Sequence, residues 1–184
     1  MRISNEDLLT GGPAVVIRYN RARNLMGLYS DGKGGTKLEG DLGNEGNGNH
    51  WVILSQMPKL PGAEIAWNEI VNDPYISSVG DKINVYKSSG SAAMPIDIHD
   101  NFIHGGYGIF PLRPEYSGGG VITDGSGSDS ADSATSFVSV HHNQFVNAPN
   151  FGVSLAAGHD NMAWANEVAS GAYRDWVELN YANR

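Results

Sequence analysis

The sequence predicts an all-β solenoid, a chain wound into stacked coils, and three observations predict it. A strand–Asn–strand pattern recurs five times, the apolar residues run with period two, and glycine is abundant while charge is scarce. The clearest copy spans residues 137–146. Val138 and Val140 alternate with Ser139 and His141, and Asn143 separates them from Gln144-Phe145-Val146. Such alternation turns one face in and the other out. Asn accepts a left-handed backbone more readily than most residues, so the pattern reads as two short strands joined by a sharp bend.

Further copies centre on Asn20, Asn68, Asn101 and, more weakly, Asn166. In four copies the residues five and three before the Asn are small or branched apolar: Val15 and Ile17, Ala63 and Ile65, Ile96 and Ile98, Val138 and Val140. The copy at Asn166 has Asn161 at the first of these positions. Two residues after the Asn the side chain is apolar in every copy: Ala22, Ile70, Ile103, Phe145 and Val168. The steps between bends are 48 (20 to 68), 33 (68 to 101), 42 (101 to 143) and 23 (143 to 166). Periods of this size mark stacked arrays. The step of 23 reads as one bare coil, and those of 33 and 42 as a coil plus an insertion. The step of 48 reads as two coils, with a hidden bend between Leu38 and Gln56. The competing architecture, a β-sandwich, calls for two-residue hairpin turns between alternating strands, and none is evident.

The 184 residues fit a single domain of about five to seven coils, enough to bury a continuous core. Glycine, 24 of 184 residues, exceeds its usual share of about 7%, and the 17% of charged residues falls below the usual figure of roughly 25%. That balance suits short strands and tight turns, not a helical bundle. A net charge of −8 without a basic run excludes a nucleic-acid footprint. There is no cysteine, hence no disulfide or thiolate metal site. No apolar run approaches the ~18 residues of a membrane span, and the first residues lack the basic-then-apolar order of a signal peptide. With little chain ahead of the first repeat to cover the end of a solenoid, a fragment of a longer chain, or an end covered by self-association or another domain, is expected.

In chain order, residues 1–13 are expected to form a partial cap, with a helical turn near residues 5–9. The first strand follows, with Arg18, Arg21 and Arg23 around its bend as a solvated basic edge. Residues 27–50, rich in Gly and Asn, read as a loop insertion in which Asp31, Asp41 and Glu45 follow no recognisable calcium spacing. Trp51-Val52-Ile53-Leu54 reads as a strand buried in the stack, closed by Pro58 and Pro61. Residues 111–119 and 125–135 are further insertions, the second a mobile Gly/Ser/Asp linker. Residues 171–184 form a last coil or a terminal cover.

One signature is more specific. Asn-x-apolar followed by aromatic-Gly-aliphatic occurs as Asn101-Phe102-Ile103 with Tyr107-Gly108-Ile109, and as Asn143-Gln144-Phe145 with Phe151-Gly152-Val153. With Ile83-Asn84-Val85-Tyr86-Lys87, Gly118-Gly119-Gly120-Val121 and Gly158-His159-Asp160-Asn161, it makes residues 83–168 resemble right-handed parallel β-helix proteins of the pectin-lyase-like superfamily, in a largely uncharacterised bacterial branch. The resemblance covers roughly half the chain strongly and the first third weakly. It implies three parallel sheets per coil and an extracellular or cell-surface protein that interacts with carbohydrate. Families of this fold include polysaccharide lyases and glycoside hydrolases as well as adhesins without catalysis, so the fold alone does not decide the chemistry.

The resemblance also implies that sugar lies along the sheet preceding the one that ends in the Asn bend. Its strands align Ile83, Val121 and Val153 inward, then Val85, Thr123 and Leu155. Asn84, Ile122 and Ser154, then Tyr86, Asp124 and Ala156, face outward. A polysaccharide or oligosaccharide held there would meet Asn84, Tyr86, Tyr116, Ser154 and His159. Lyase chemistry needs a base and a cation to steady the enolate. Lys87 or Arg113 is the candidate base, with calcium on Asp124 and Asp129. A hydrolase needs two facing carboxylates, for which Asp124 and Glu115 are the candidates. The superfamily's calcium and catalytic motifs are not matched residue by residue, and a non-catalytic glycan-binding or adhesin-like module is the alternative. His141 and His142, adjacent on a strand, are expected on opposite faces and so form a poor chelate. His99, His104 and His159 are expected to be simple hydrogen-bond donors, and Trp67 and Trp164, beside Asn bends, to stack in or on the coil and not to bind sugar.

Overall fold

The computed structural model describes residues 2–4, 15–26, 28–30, 33, 36–38, 50–107 and 118–170. Fifteen strands form three sheets in which every pairing is parallel, and two more form a hairpin. The first coil contributes β1 (Arg2–Ser4), β2 (Val16–Arg18) and β3 (Arg21–Arg23). The hairpin of β4 (Leu28–Ser30) and β5 (Thr36–Leu38) follows. The second coil is β6 (Val52–Ser55), β7 (Glu64–Ala66) and β8 (Glu69–Val71), and the third is β9 (Ile83–Tyr86), β10 (Ile96–His99) and β11 (Phe102–His104). The fourth is β12 (Val121–Asp124), β13 (Val138–His141) and β14 (Gln144–Val146), and the fifth is β15 (Val153–Leu155), β16 (Met162–Trp164) and β17 (Glu167–Ala169).

Strands from successive coils stack in order. The first sheet runs β1-β6-β9-β12-β15, the middle sheet β2-β7-β10-β13-β16 and the third β3-β8-β11-β14-β17. This is a parallel β-helix solenoid of five described coils. Apolar side chains three before and two after each Asn align from coil to coil. Ile17, Ile65, Ile98, Val140 and Ala163 form one row, and Ala22, Ile70, Ile103, Phe145 and Val168 another. Rows of branched and aromatic side chains filling the coil interior are what the period-two pattern demands.

The five Asn residues form a single hydrogen-bonded column. Asn68 donates its backbone N–H (3.0 Å) and its Nδ2 (2.9 Å) to Oδ1 of Asn101, and also reaches back to the carbonyl of Ile17 (2.9 Å). Asn101 repeats this toward Asn143 and Ile65, and Asn143 toward Asn166 and Ile98. Asn20 opens the column with N–H and Nδ2 on Asn68. At the buried Asn68, Asn101 and Asn143 the amide is therefore needed for its donors and its acceptor, each used, where an unpaired polar group is costly. The left-handed backbone lies one residue earlier than the sequence suggests: Tyr19, Trp67, Asp100, His142 and Ala165 have φ between 50° and 56°. The Asn holds the bend closed, and the residue before it makes the turn.

Two expectations are corrected. The 48-residue step is one coil, because β2 pairs directly with β7 and β3 with β8. Its extra length includes the β4–β5 hairpin, in a region read as loop alone. The first coil also starts earlier than expected, since Arg2–Ser4 pairs with β6 as a full member of the first sheet. The helical turn proposed for residues 5–9 and the cover proposed for residues 171–184 lie outside the described residues.

Close approach between coils explains several glycines. A Cβ on Gly118 would lie 1.8 Å from the carbonyl oxygen of Gly80, and one on Gly106 would lie 1.9 Å from Nζ of Lys82. That lysine is fully buried and its Nζ has no hydrogen-bond partner. Burial pulls its pKa down to about 7, although the carboxylate of Asp81 opposes the shift.

Candidate functional site

The first sheet takes the register read from the sequence. Ile83 pairs with Val121 and Val121 with Val153, Asn84 with Ile122 and Ile122 with Ser154, and Tyr86 with Asp124. Ile83, Val85, Val121 and Thr123 are buried, while Leu155, on the last described coil, is exposed. On the outer face, Asp124 accepts from Nδ2 of Asn84 (3.3 Å) and from the N–H of Gly125 (2.8 Å). Asn84 itself is buried, and its Oδ1 has no hydrogen-bond partner.

The remaining candidates on this sheet are occupied elsewhere or apart. Lys87 forms an ion pair with Asp129 at 2.6 Å, and its ammonium lies 5.4 Å from the ring centre of Tyr86. The hydrogen bond to Asp129 raises the pKa of Lys87, the reverse of what a proton-abstracting base requires. Asp129 is held as well by the N–H and hydroxyl of Ser126, at 2.6 and 2.8 Å, and its pKa is lowered, first by Lys87. The 125–135 segment read as a mobile linker is thus pinned by an ion pair and by turns of its own. His159 contacts Asp160 (2.7 Å) and the carbonyl of Ala131 (3.0 Å). The Asp160 contact raises its pKa most. Ser154 sits on β15, one coil beyond Ile122. Arg113, Glu115 and Tyr116 lie outside the described residues. Among the described residues no three His, Asp or Glu side chains converge as a metal cluster, so Asp124 and Asp129 gain no further acidic or histidine partner for calcium.

The densest chemistry lies on the outer face of the middle sheet. At four residues before the Asn stand Val16, Glu64, Asp97, Ser139 and Met162, in register. At two before stand Arg18, Ala66, His99, His141 and Trp164. At one before, on the left-handed bend, stand Tyr19, Trp67, Asp100, His142 and Ala165. Rings run along this face without a break. Tyr19 stacks on Trp67 (5.4 Å between centres), Trp67 meets His99 edge-on (4.9 Å), His99 stacks on His141 (5.1 Å), and His141 stacks on Trp164 (4.4 Å). Trp67 remains 41% exposed and Trp164 43%. The two tryptophans stack along the coil as expected, and part of each remains exposed.

Acids knit this line of rings together. His99 contacts Glu64 through Nε2 (3.2 Å) and Asp100 through Nδ1 (2.8 Å). His141 donates from Nε2 to Asp97 (2.8 Å), and its Nδ1 lies 2.8 Å from Nδ1 of His142. Glu64 also pairs with Arg18, whose guanidinium lies 5.4 Å from the Trp67 ring centre. The other two basic-edge residues are paired as well, Arg21 with Glu69 (3.0 Å) and Arg23 with Asp73 (3.8 Å).

Sequence reasoning missed this face and placed His141 and His142 on opposite sides. Strict alternation fails because His142 is at φ 53° and turns back onto its neighbour. The same turn sets Asp100 on His99 and Asp160 on His159, each following residue having φ near 52–53°. Aligning the repeats on their Asn would have brought Glu64 beside Asp97 four before it and His99 beside His141 two before it. Of the three histidines considered as a group, His99 lies on the middle sheet, His104 on the third and His159 beyond the first, so they do not converge.

No protein-family model matches the chain, and neither does any curated protein or any solved structure. Among the described residues no helix is long and apolar enough to cross a membrane.

Proposed function

We propose that the chain is a carbohydrate-interacting β-helix domain that holds a neutral polysaccharide along the outer face of its middle sheet. The observation that carries this reading is the unbroken line of rings from Tyr19 to Trp164, flanked by Glu64, Asp97 and Asp100. Exposed rings stack on the apolar faces of sugars, and carboxylates accept from sugar hydroxyls. The carboxylates and the net charge of −8 disfavour a uronate polymer, and they leave an uncharged glycan as the best fit. The resemblance to pectin-lyase-like β-helices supports a carbohydrate ligand, without selecting a neutral one, and an extracellular or cell-surface setting.

A second reading, polysaccharide hydrolysis, is favoured by one feature. Glu64 and Asp97 are register partners on adjacent strands. They place two carboxylates on neighbouring coils of one face, the pair of groups that glycoside hydrolysis requires. Co-sedimentation with a panel of neutral and acidic insoluble polysaccharides tests the first reading. It predicts retention on a neutral polymer, reduced by Trp67→Ala. New reducing ends that vanish in Asp97→Asn would add hydrolysis. An ultraviolet-absorbing unsaturated product from a uronate polymer would instead indicate a lyase. Retention by none of the polymers would remove the proposal.

A further inference from the structure

We propose that His141 and His142 form a two-nitrogen chelate for a divalent transition-metal ion, with Cu²⁺ preferred. The two Nδ1 atoms lie 2.8 Å apart on the solvent side of the middle sheet. Metal–imidazole bonds are about 2.0–2.1 Å long, so two ligands at a right angle sit about 2.9 Å apart and two at a tetrahedral angle about 3.3 Å. The observed spacing brings the two nitrogens within reach of one ion, and Cu²⁺ stands at the head of the affinity order for imidazole ligands.

The surroundings prepare both nitrogens. Asp97 accepts from Nε2 of His141 at 2.8 Å, which places the hydrogen of the neutral ring there and leaves a lone pair on Nδ1. A carboxylate behind a histidine in this manner fixes ring orientation and raises ligand basicity. Stacking between His99 at 5.1 Å and Trp164 at 4.4 Å holds the His141 plane. His142 sits at φ 53° on an exposed bend, and its backbone is what aims Nδ1 at its neighbour. Rotation of the His142 ring turns the nitrogen–nitrogen contact into a chelate, its ring proton moving from Nδ1 to Nε2, so the two neutral rings take up the metal without net loss of a proton. Beyond these two imidazoles no acid or histidine completes a cluster among the described residues, so solvent fills the remaining positions. His99 does not compete, because both its ring nitrogens face carboxylates.

The test is titration of the full chain with Cu²⁺, Ni²⁺ and Zn²⁺ by calorimetry, with electron paramagnetic resonance of the copper form. The expected result is one copper per chain bound through two nitrogens, an affinity order of copper, nickel, zinc, and no net proton release above the pH at which both rings are neutral. His142→Gly keeps the left-handed bend that glycine tolerates and abolishes the chelate. Asp97→Ala weakens copper binding about 10–100-fold, while His159→Ala leaves it unchanged. Absence of copper binding, a single nitrogen ligand, or wild-type affinity in His142→Gly would overturn the proposal.

Discussion

Replacing one rung of the asparagine column should cost stability according to its place in the column. Asn101→Ala removes four hydrogen bonds: two accepted from Asn68, one given to Ile65 and one given to Asn143. Asn143 still receives the backbone N–H of residue 101, and the Nδ2 of Asn68 still reaches Ile17. The buried N–H of Asn68 is left without its acceptor, and the carbonyl of Ile65 loses its side-chain donor. An orphaned buried polar group costs about 1–3 kcal/mol, so these two losses together give roughly 3 kcal/mol. Asn20→Ala is the contrast, because Asn20 acts only as a donor, to Asn68 and to the carbonyl of Arg18, and its loss orphans no buried donor. Its cost should stay under ~1 kcal/mol. Urea unfolding reads both as midpoint shifts at constant slope. Equal costs for the two variants would refute a directional column that matters through its buried donors.

Further outcomes follow from particular residues. Lys82 gives up its proton at about 7 in the folded chain and at 10.5 when unfolded. The unfolded state therefore binds more protons between those values, and this group makes stability rise with pH across that window. Below it the burial penalty is at its full size, at most ~5 kcal/mol. Lys82→Met should raise stability at pH 7 and flatten the slope in unfolding titrations up to pH 10.5. Gly118→Ala drives a Cβ to 1.8 Å from the Gly80 carbonyl, and a loss of more than ~2 kcal/mol or a failure to fold is expected by circular dichroism. His159 should titrate above its ordinary 6.5 by NMR, and Asp160→Asn should bring the midpoint down. Because its folded value is raised, this contact stabilises below the unfolded pKa and the contribution is lost as pH rises through the folded value.

The fold was legible because its signal is local. Branched residues at fixed offsets from Asn68, Asn101 and Asn143 mark the interior rows, and the register of Ile83, Val121 and Val153 follows from alternation once the resemblance places their strands in one sheet. The coil count failed where an insertion disguised one 48-residue coil as two, since spacing carries no label separating coil from hairpin. The site was less legible. Alternation predicts side-chain direction only while the backbone stays extended, and the left-handed turn at His142 reverses it. The resemblance singled out the first sheet, and there the ion pair of Lys87 with Asp129 joins the strand to a loop whose path the sequence does not specify. The middle-sheet face is built from residues as far apart as Arg18 and Trp164, and it emerges only when all five coils are aligned.

The most direct test of the functional account is chemical-shift mapping of the isotope-labelled chain titrated with soluble neutral oligosaccharides. The account predicts a continuous stripe of shifted signals through Glu64, Trp67, Asp97, His99, His141 and Trp164, with the first sheet unmoved. Shifts confined to Tyr86, Lys87, Asp124 and Asp129, or no shift with any neutral sugar, would contradict it.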